Sequence, residues 1–295
     1  MIRLAASAKL NLHLRVLGLR SDGFHSIESL FVRLGLHDDV EVELGADGIR
    51  FEATGEFEVP RGADNLCVAA AVSFYNEIDR EPAASIRLTK RIPVAAGLGG
   101  GSSDAASVLL GLNDLLGTPL GPAALAEVGA RIGSDVPFFL LQQPFALGRG
   151  RGEELSPLQS PESRPVLIVV PDFGVSAGEA YSWRREAEDN SAVEAGPDER
   201  LAGTAELSEW SAIAEISTND LAAGVFARHP ALAAAAEALA DTGAFMSLLC
   251  GSGACLAGLY DDVAIRDICL ERLQSHPAIL PGWRLLSTWS EGPGA

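Results

Sequence analysis

Seven residues, GLGGGSS at Gly97 to Ser103, constrain this chain more than any other stretch. They follow the alternating run ASIRLTK and Pro93, and they lead into a helical pattern predicted from about Ser102 to Leu116. Glycines let a backbone curl until successive N–H groups converge, and a helix N-terminus behind them adds roughly half a positive charge. Together these make a cradle for an anion. Ser102 and Ser103 add hydroxyls for a phosphate or for the water shell of a bound metal. A Gly/Ser stretch is often a flexible linker, but this one abuts a well-formed helical pattern. Neither named nucleotide loop fits. A Walker A loop needs Lys directly after its last glycine, where Ser102 stands, and a Rossmann fingerprint needs an acidic ribose binder at the end of a second strand. Downstream lie a helix and NDLLGTPLGP instead.

The flanking patterns set the fold class. Leu10, Leu12, Leu14 and Val16 alternate with Asn11, His13 and Arg15, the period of a strand with one buried face. RSDGFH supplies a turn, and Val40, Val42 and Leu44 alternate in a second strand. Asp64 or Asn65 is placed to cap a helix through LCVAAAVSFYNEI, and Pro122 suits the first turn of GPAALAEVGARIG. The run ELSPLQSPESRP, Glu154 to Pro165, reads as a linker, and VLIVVP beyond it as a buried strand opening a second unit. Domains of 1–157 and 158–295 follow. The acidic tract EAEDNSAVEAGPDER reads as a solvated loop. The remainder predicts a helix at about Ala231 to Ala240, two strands around CGSG, a helix at about Asp262 to Gln274 and a last strand near WRLLSTW. Mixed order without repeats favours two α+β sandwiches.

Composition narrows the partners. Lys and Arg number 22 against 40 Asp and Glu, a net charge of −18. That balance excludes a general nucleic-acid binder and argues against an anionic membrane surface, so an anionic small substrate must be held by a local positive site. The uncharged stretch Thr242 to Tyr260 is interrupted by four glycines and reads as a strand pair, with no membrane span. The N-terminus meets its second charge at Lys9 before a signal-length apolar region forms. Cys67, Cys250, Cys255 and Cys269 are scattered without a CxxC pair, which predicts reduced thiols and a cytoplasmic protein.

Four further features are individually bland. Lys9 in SAKLNL stands at a strand start, where a lysine is usually solvated. Asp135 in GSDVPFF could be only a helix cap. DGFH, Asp22 to His25, could be a plain hairpin turn, and CGSGAC is a small-residue turn that lets something approach the backbone closely.

In combination, AKLNLHLRVLGLRSDGFH, PVAAGLGGGSSDAA, GSDVPFF and CGSGAC, in this order, resemble the GHMP small-molecule kinases over essentially the whole chain. The resemblance implies a two-domain α+β architecture: an N-terminal α/β domain, a C-terminal ferredoxin-like α+β domain, and the active site between them. It implies ATP and Mg²⁺, with the γ-phosphoryl passed to a hydroxyl of a methylerythritol that carries a cytidine diphosphate. The phosphates would lie on Pro93, Val94, Ala95, Ala96, Gly97, Leu98, Gly99, Gly100, Gly101, Ser102 and Ser103. Lys9 and Asp135 match the catalytic pair. Asn11 and His25 match positions that recognise cytosine and orient substrate, Phe24 stands where many members have Tyr, and Tyr181 matches a second stacking face. Ala6 replaces a usual Pro, and Leu19 a frequent Arg. The metal ligands are not evident in the sequence, Ser103 being one candidate, and neither is the oligomeric state. A sister kinase of the mevalonate or homoserine type would keep the loop and lack DGFH. A non-catalytic nucleotide-binding module would need no convergence of Lys9 and Asp135, and a nicotinamide oxidoreductase is disfavoured by the missing fingerprint.

Overall fold

The computed structural model describes residues 1–21, 23–45, 47–190, 201 and 207–294. Two long strands organise it. β1 (Ile2–Leu19) and β2 (His25–Leu44) form an antiparallel hairpin whose register runs from Ile2 opposite Val42 to Leu19 opposite His25. The register shifts between Ser7 and Ala8, Asn11 and His13, and Val16 and Gly18. Such bulges add twist and re-aim side chains, and the middle one lies beside the site described below. β3 (Gly48–Gly55) pairs in parallel with β4 (Ala83–Lys90), which pairs with β2. β5 (Phe145–Arg149) pairs with β2 at Ser29 to Val32, further along the edge that β4 uses, and β6 (Glu154–Pro157) completes the first sheet beside β5.

Helices cover one face of this sheet. α1 (Leu66–Glu77) starts at Asn65, whose side chain accepts from the Cys67 N–H at 2.8 Å. α2 (Gly100–Leu115) begins two residues before the expected start, because Gly99 takes the left-handed conformation (φ 71°) that turns the chain into it. α3 (Pro122–Ile132) carries Pro in its first turn, and the five-residue α4 (Val136–Leu140) follows. Phe74, Val108, Leu109, Leu112 and Phe138 pack there against Phe31, Val40 and Val42 of β2.

A second, fully antiparallel sheet has the order β10-β7-β9-β8, made by β7 (Pro165–Val170), β8 (Met246–Leu249), β9 (Leu256–Leu259) and β10 (Arg284–Trp289). α5 (Ala177–Asn190), α6 (Trp210–Ile216), α7 (Ala222–Arg228) and α8 (Pro230–Asp241) lie between β7 and β8. α9 (Val263–Gln274), capped by Asp262, joins β9 to β10. This βαββαβ order is the ferredoxin-like arrangement. The two sheets share a core, in which Leu10, Leu12, Leu30 and Val32 meet Val166, Ile168, Met246 and Leu248.

Several expectations are corrected. β1 is not half-buried over Leu10 to Leu14, since Asn11 and His13 are buried as well, with helices on one side of the hairpin and the second sheet on the other. The linker reading fails at its start, where Glu154 to Pro157 is β6. The acidic tract begins inside α5, and residues 191–200 lie outside the described residues. β3, β5, α5, α6 and α7 were not expected. No helix among the described residues is long and apolar enough to cross a membrane.

Candidate active site

Lys9 is buried and lies inside β1 rather than at a strand start, because the strand already begins at Ile2 and the ladder with β2 runs past it on both sides. Its backbone N–H donates to the Leu98 carbonyl at 2.9 Å, which ties β1 to the glycine loop. Its ammonium stands 3.3 Å from Asp135 Oδ2, donates to Asn11 Oδ1 at 2.5 Å and lies 5.7 Å from the Phe31 ring centroid. Two glycines leave room for it: a Cβ on Gly99 would come within 2.9 Å of Lys9 Cγ, and one on Gly251 within 3.3 Å of Nζ. Asp135 occupies the cap position of α4 but makes no capping bond, and its side chain remains 29% exposed. Its carboxylate is therefore turned to the cleft and to Lys9.

The glycine loop is held from behind. The Cys255 N–H donates to the Ala96 carbonyl at 3.4 Å and the Val175 N–H to the Ala95 carbonyl at 3.3 Å. A cavity of about 280 Å³ is lined by Pro93 through Ser102 together with Asn65, Lys90 and Asp104. Below it the Lys90 ammonium is shared between Asp38 and Asp104, the latter at 2.8 Å, and all three are buried. Burial pushes the Asp104 carboxyl up to about 7 against the opposing pull of Lys90, while the two carboxylates outweigh burial at Lys90 and raise it. Asp38 also accepts the N–H groups of Arg91 and Ile92, fixing the chain that enters the loop.

A larger cleft of about 540 Å³ adjoins it, with Gly97, Gly99 and Ser102 facing both spaces. Lys9, Asn11 and Asp135 line it together with Phe24, His25 and Tyr181. The His25 and Tyr181 rings stack with centroids 4.7 Å apart and planes 12° apart. Burial pushes the Tyr181 phenol up to about 12. Phe24 is 52% exposed, and the Arg151 guanidinium lies 4.9 Å from its ring. Asp22 of DGFH is outside the described residues. Arg151 and Arg185 also line the cleft, so its lining holds three cationic groups against one carboxylate in a chain of charge −18. All four cysteines are free and buried.

Ser103 faces neither cavity; it is buried in α2, and its N–H donates to the Gly99 carbonyl at 3.0 Å. Ser102 takes the outward position instead. No cluster of three His, Cys, Asp or Glu exists among the described residues. The hydroxyl of Ser102 and the carboxylate of Asp135, both lining the cleft, are hard oxygen donors of the kind Mg²⁺ takes. The sequence reading missed Arg151, Arg185, the Asp38–Lys90–Asp104 group and Asn219. Asn219 donates to the Leu249 and Gly251 carbonyls at 2.9 and 2.7 Å and so holds the CGSG turn against Lys9. Arg151 lies within GRGRG, Gly148 to Gly152, which was the available signal; the others emerge only on folding.

Comparison with known proteins matches residues 65–143 to the GHMP kinases N terminal domain and residues 202–277 to the GHMP kinases C terminal domain. A 4-diphosphocytidyl-2-C-methyl-D-erythritol kinase of Moorella thermoacetica is 38% identical over 273 residues, 92% of this chain and 95% of that protein. A crystal structure of 4-(cytidine 5'-diphospho)-2C-methyl-D-erythritol kinase superposes with a TM-score of 0.79 at 31% identity, covering 99% of this chain and 100% of the other. Homoserine kinase from Cytophaga hutchinsonii shares the fold at 16% identity, with a TM-score of 0.70 over 99% of this chain and 94% of its own.

Proposed function

The chain belongs to the 4-diphosphocytidyl-2-C-methyl-D-erythritol kinases of the GHMP superfamily, and from that membership we propose how its own residues perform the transfer. It phosphorylates the 2-hydroxyl of 4-diphosphocytidyl-2-C-methyl-D-erythritol with ATP, in the non-mevalonate route to isoprenoid precursors. The observation that carries the mechanism is the Lys9–Asp135 pair, 3.3 Å apart in a cleft that meets the glycine loop at Gly97, Gly99 and Ser102.

ATP enters the smaller cavity with its phosphates on the loop, whose N–H groups and α2 N-terminus face the negative charge. The cytidyl substrate fills the larger cleft, its base against Phe24, His25 and Tyr181 and its diphosphate beside Arg151 and Arg185. This leaves the methylerythritol at Asp135. Phosphoryl transfer needs in-line positioning and charge neutralisation more than covalent help. Asp135 accepts the proton of the attacking hydroxyl; a loose transition state releases that proton late, so positioning matters more than basicity. Lys9, 3.3 Å from the Asp135 carboxylate, offsets charge on the transferred group. Ser102 and Asp135, which line the cleft beside the loop, would help hold Mg²⁺, and the cation would supply neutralisation of the phosphate charge. The buried reduced thiols support a cytoplasmic location.

ADP release tests this reading, measured with the cytidyl substrate, mevalonate and homoserine in turn, each with and without Mg²⁺. Turnover is expected only with the cytidyl substrate and Mg²⁺. Preference for either other alcohol would overturn the substrate assignment.

A further inference from the structure

Asn11 has both ends of its amide occupied inside the protein. Its Nδ2 donates to Ser29 Oγ at 2.7 Å, and its Oδ1 receives the Lys9 ammonium at 2.5 Å. Ser29 in turn donates its hydroxyl proton to the His13 carbonyl at 2.8 Å. All three side chains are buried, and Ser29, with no exposed surface, does not line the cleft.

The polarity of this chain runs one way. A backbone carbonyl only accepts, so the single Ser29 proton is committed to His13, and the serine oxygen is left to accept. Asn11 must then present its NH₂ to Ser29, which aims its carbonyl oxygen at Lys9. The bulge supplies the starting point. The register shift between Asn11 and His13 interrupts the β1–β2 ladder, and two hydroxyls meet carbonyls there, Ser217 at Leu12 (2.9 Å) and Ser29 at His13.

We propose that Ser29 is a positioning residue for the phosphoryl transfer, setting the orientation of Asn11 and through it the place of the Lys9 ammonium beside Asp135. The proposal rests on the catalytic reading of Lys9 and Asp135 given above. Without the serine hydroxyl, the Asn11 NH₂ loses its acceptor, and the side chain is free to swing and carry its Oδ1 away from the ammonium. Lys9 then loses an acceptor and drifts from the line between Asp135 and the loop. Because Ser29 touches no ligand, the damage falls on kcat, and neither substrate's KM changes much.

The test is steady-state kinetics on the full chain with ATP and the cytidyl substrate. Ser29→Ala is expected to lower kcat on the order of tenfold, with both KM values within about twofold. Ser29→Thr and Ser29→Val have nearly the same shape and differ by the hydroxyl; Thr should keep kcat near wild type, and Val should fall with Ala. In an Asn11→Ala background, Ser29→Ala should cost nothing further, since its whole effect passes through the amide. Wild-type kcat in a folded Ser29→Ala enzyme would overturn the proposal, as would equal losses in Thr and Val, or losses that multiply with Asn11→Ala. Loss of folding in both hydroxyl-free variants would assign Ser29 to the core alone and overturn it too. A wild-type chain that does not phosphorylate the cytidyl substrate would instead count against the kinase reading.

Discussion

Gly97→Ala is the substitution whose cost the structure fixes most directly. Gly97 has φ +75°, and a Cβ there would lie 1.6 Å from the Cys250 carbonyl oxygen and 2.6 Å from its carbon. The left-handed backbone alone costs a non-glycine residue about 1–2 kcal/mol. A carbon needs about 3.3 Å from a carbonyl oxygen, so the loop or the CGSG turn must yield by about 1.7 Å. Neither moves cheaply, because Asn219 holds the turn through two carbonyls and the Lys9 N–H holds the loop at Leu98. A misplacement of about 1 Å can cost on the order of 10²-fold in rate, so kcat/KM for ATP should fall at least that far. Gly62→Ala is the matched control, outside the loop and both cavities: its φ is not positive and a Cβ there would meet nothing within 4 Å, so it should be neutral or slightly stabilising. ATP kinetics and thermal melts of both variants make the assay. A Gly97→Ala enzyme within threefold of wild-type kcat/KM would refute the argument that loop and turn are rigidly opposed.

Asp135→Asn should lower kcat by roughly 10²–10⁴ with affinity largely kept, and Lys9→Met should do comparable damage. The double variant should lose far less than the product of the two, and fully multiplicative losses would mean that they act independently. Arg151→Gln and Arg185→Gln should each raise KM for the cytidyl substrate and leave KM for ATP unchanged, most visibly at low ionic strength; equal changes in both constants would remove the arginines from the diphosphate. Asp104, raised to about 7 when folded from an unfolded value near 3.9, holds its proton more tightly in the native state. The stability it contributes is therefore present at low pH and is lost as pH rises from about 4 to 7. The melting temperature of wild type minus that of Asp104→Asn should fall between pH 5 and 8, and a rise would contradict the assignment.

The features legible in the sequence were those written in local chemistry. A cap at Asp64 or Asn65 before an apolar helix, which falls to Asn65, Pro122 in a first turn, and the glycines between ASIRLTK and α2 each act within a few residues of themselves. The burial of Asn11 and His13 was not legible, because it depends on a second sheet whose strands start more than 150 residues later. β6 escaped for the opposite reason: Ser156 and Pro157 look like linker chemistry, and only pairing with β5 makes them a strand edge. In the site, Lys9 and Asp135 could be named only through a resemblance, since neither spacing nor pattern predicts that residues so distant stand 3.3 Å apart. Ser29 gave no signal at all, being one serine in a run of strand residues whose partner is a carbonyl freed by a bulge.

The core common to both sheets bears on how the chain can be made and divided. Leu10, Leu30 and Val32 on one side and Val166, Ile168 and Leu248 on the other belong to one buried cluster that spans both halves. Severing the polypeptide between Pro157 and Pro165 breaks no strand, yet it would leave two pieces each carrying a bare apolar face too broad for water to tolerate. Neither piece should be recoverable by itself from cells, whereas the two produced together should reassemble. On a ribosome, the N-terminal part must wait, incompletely covered, until Leu248 and its neighbours emerge.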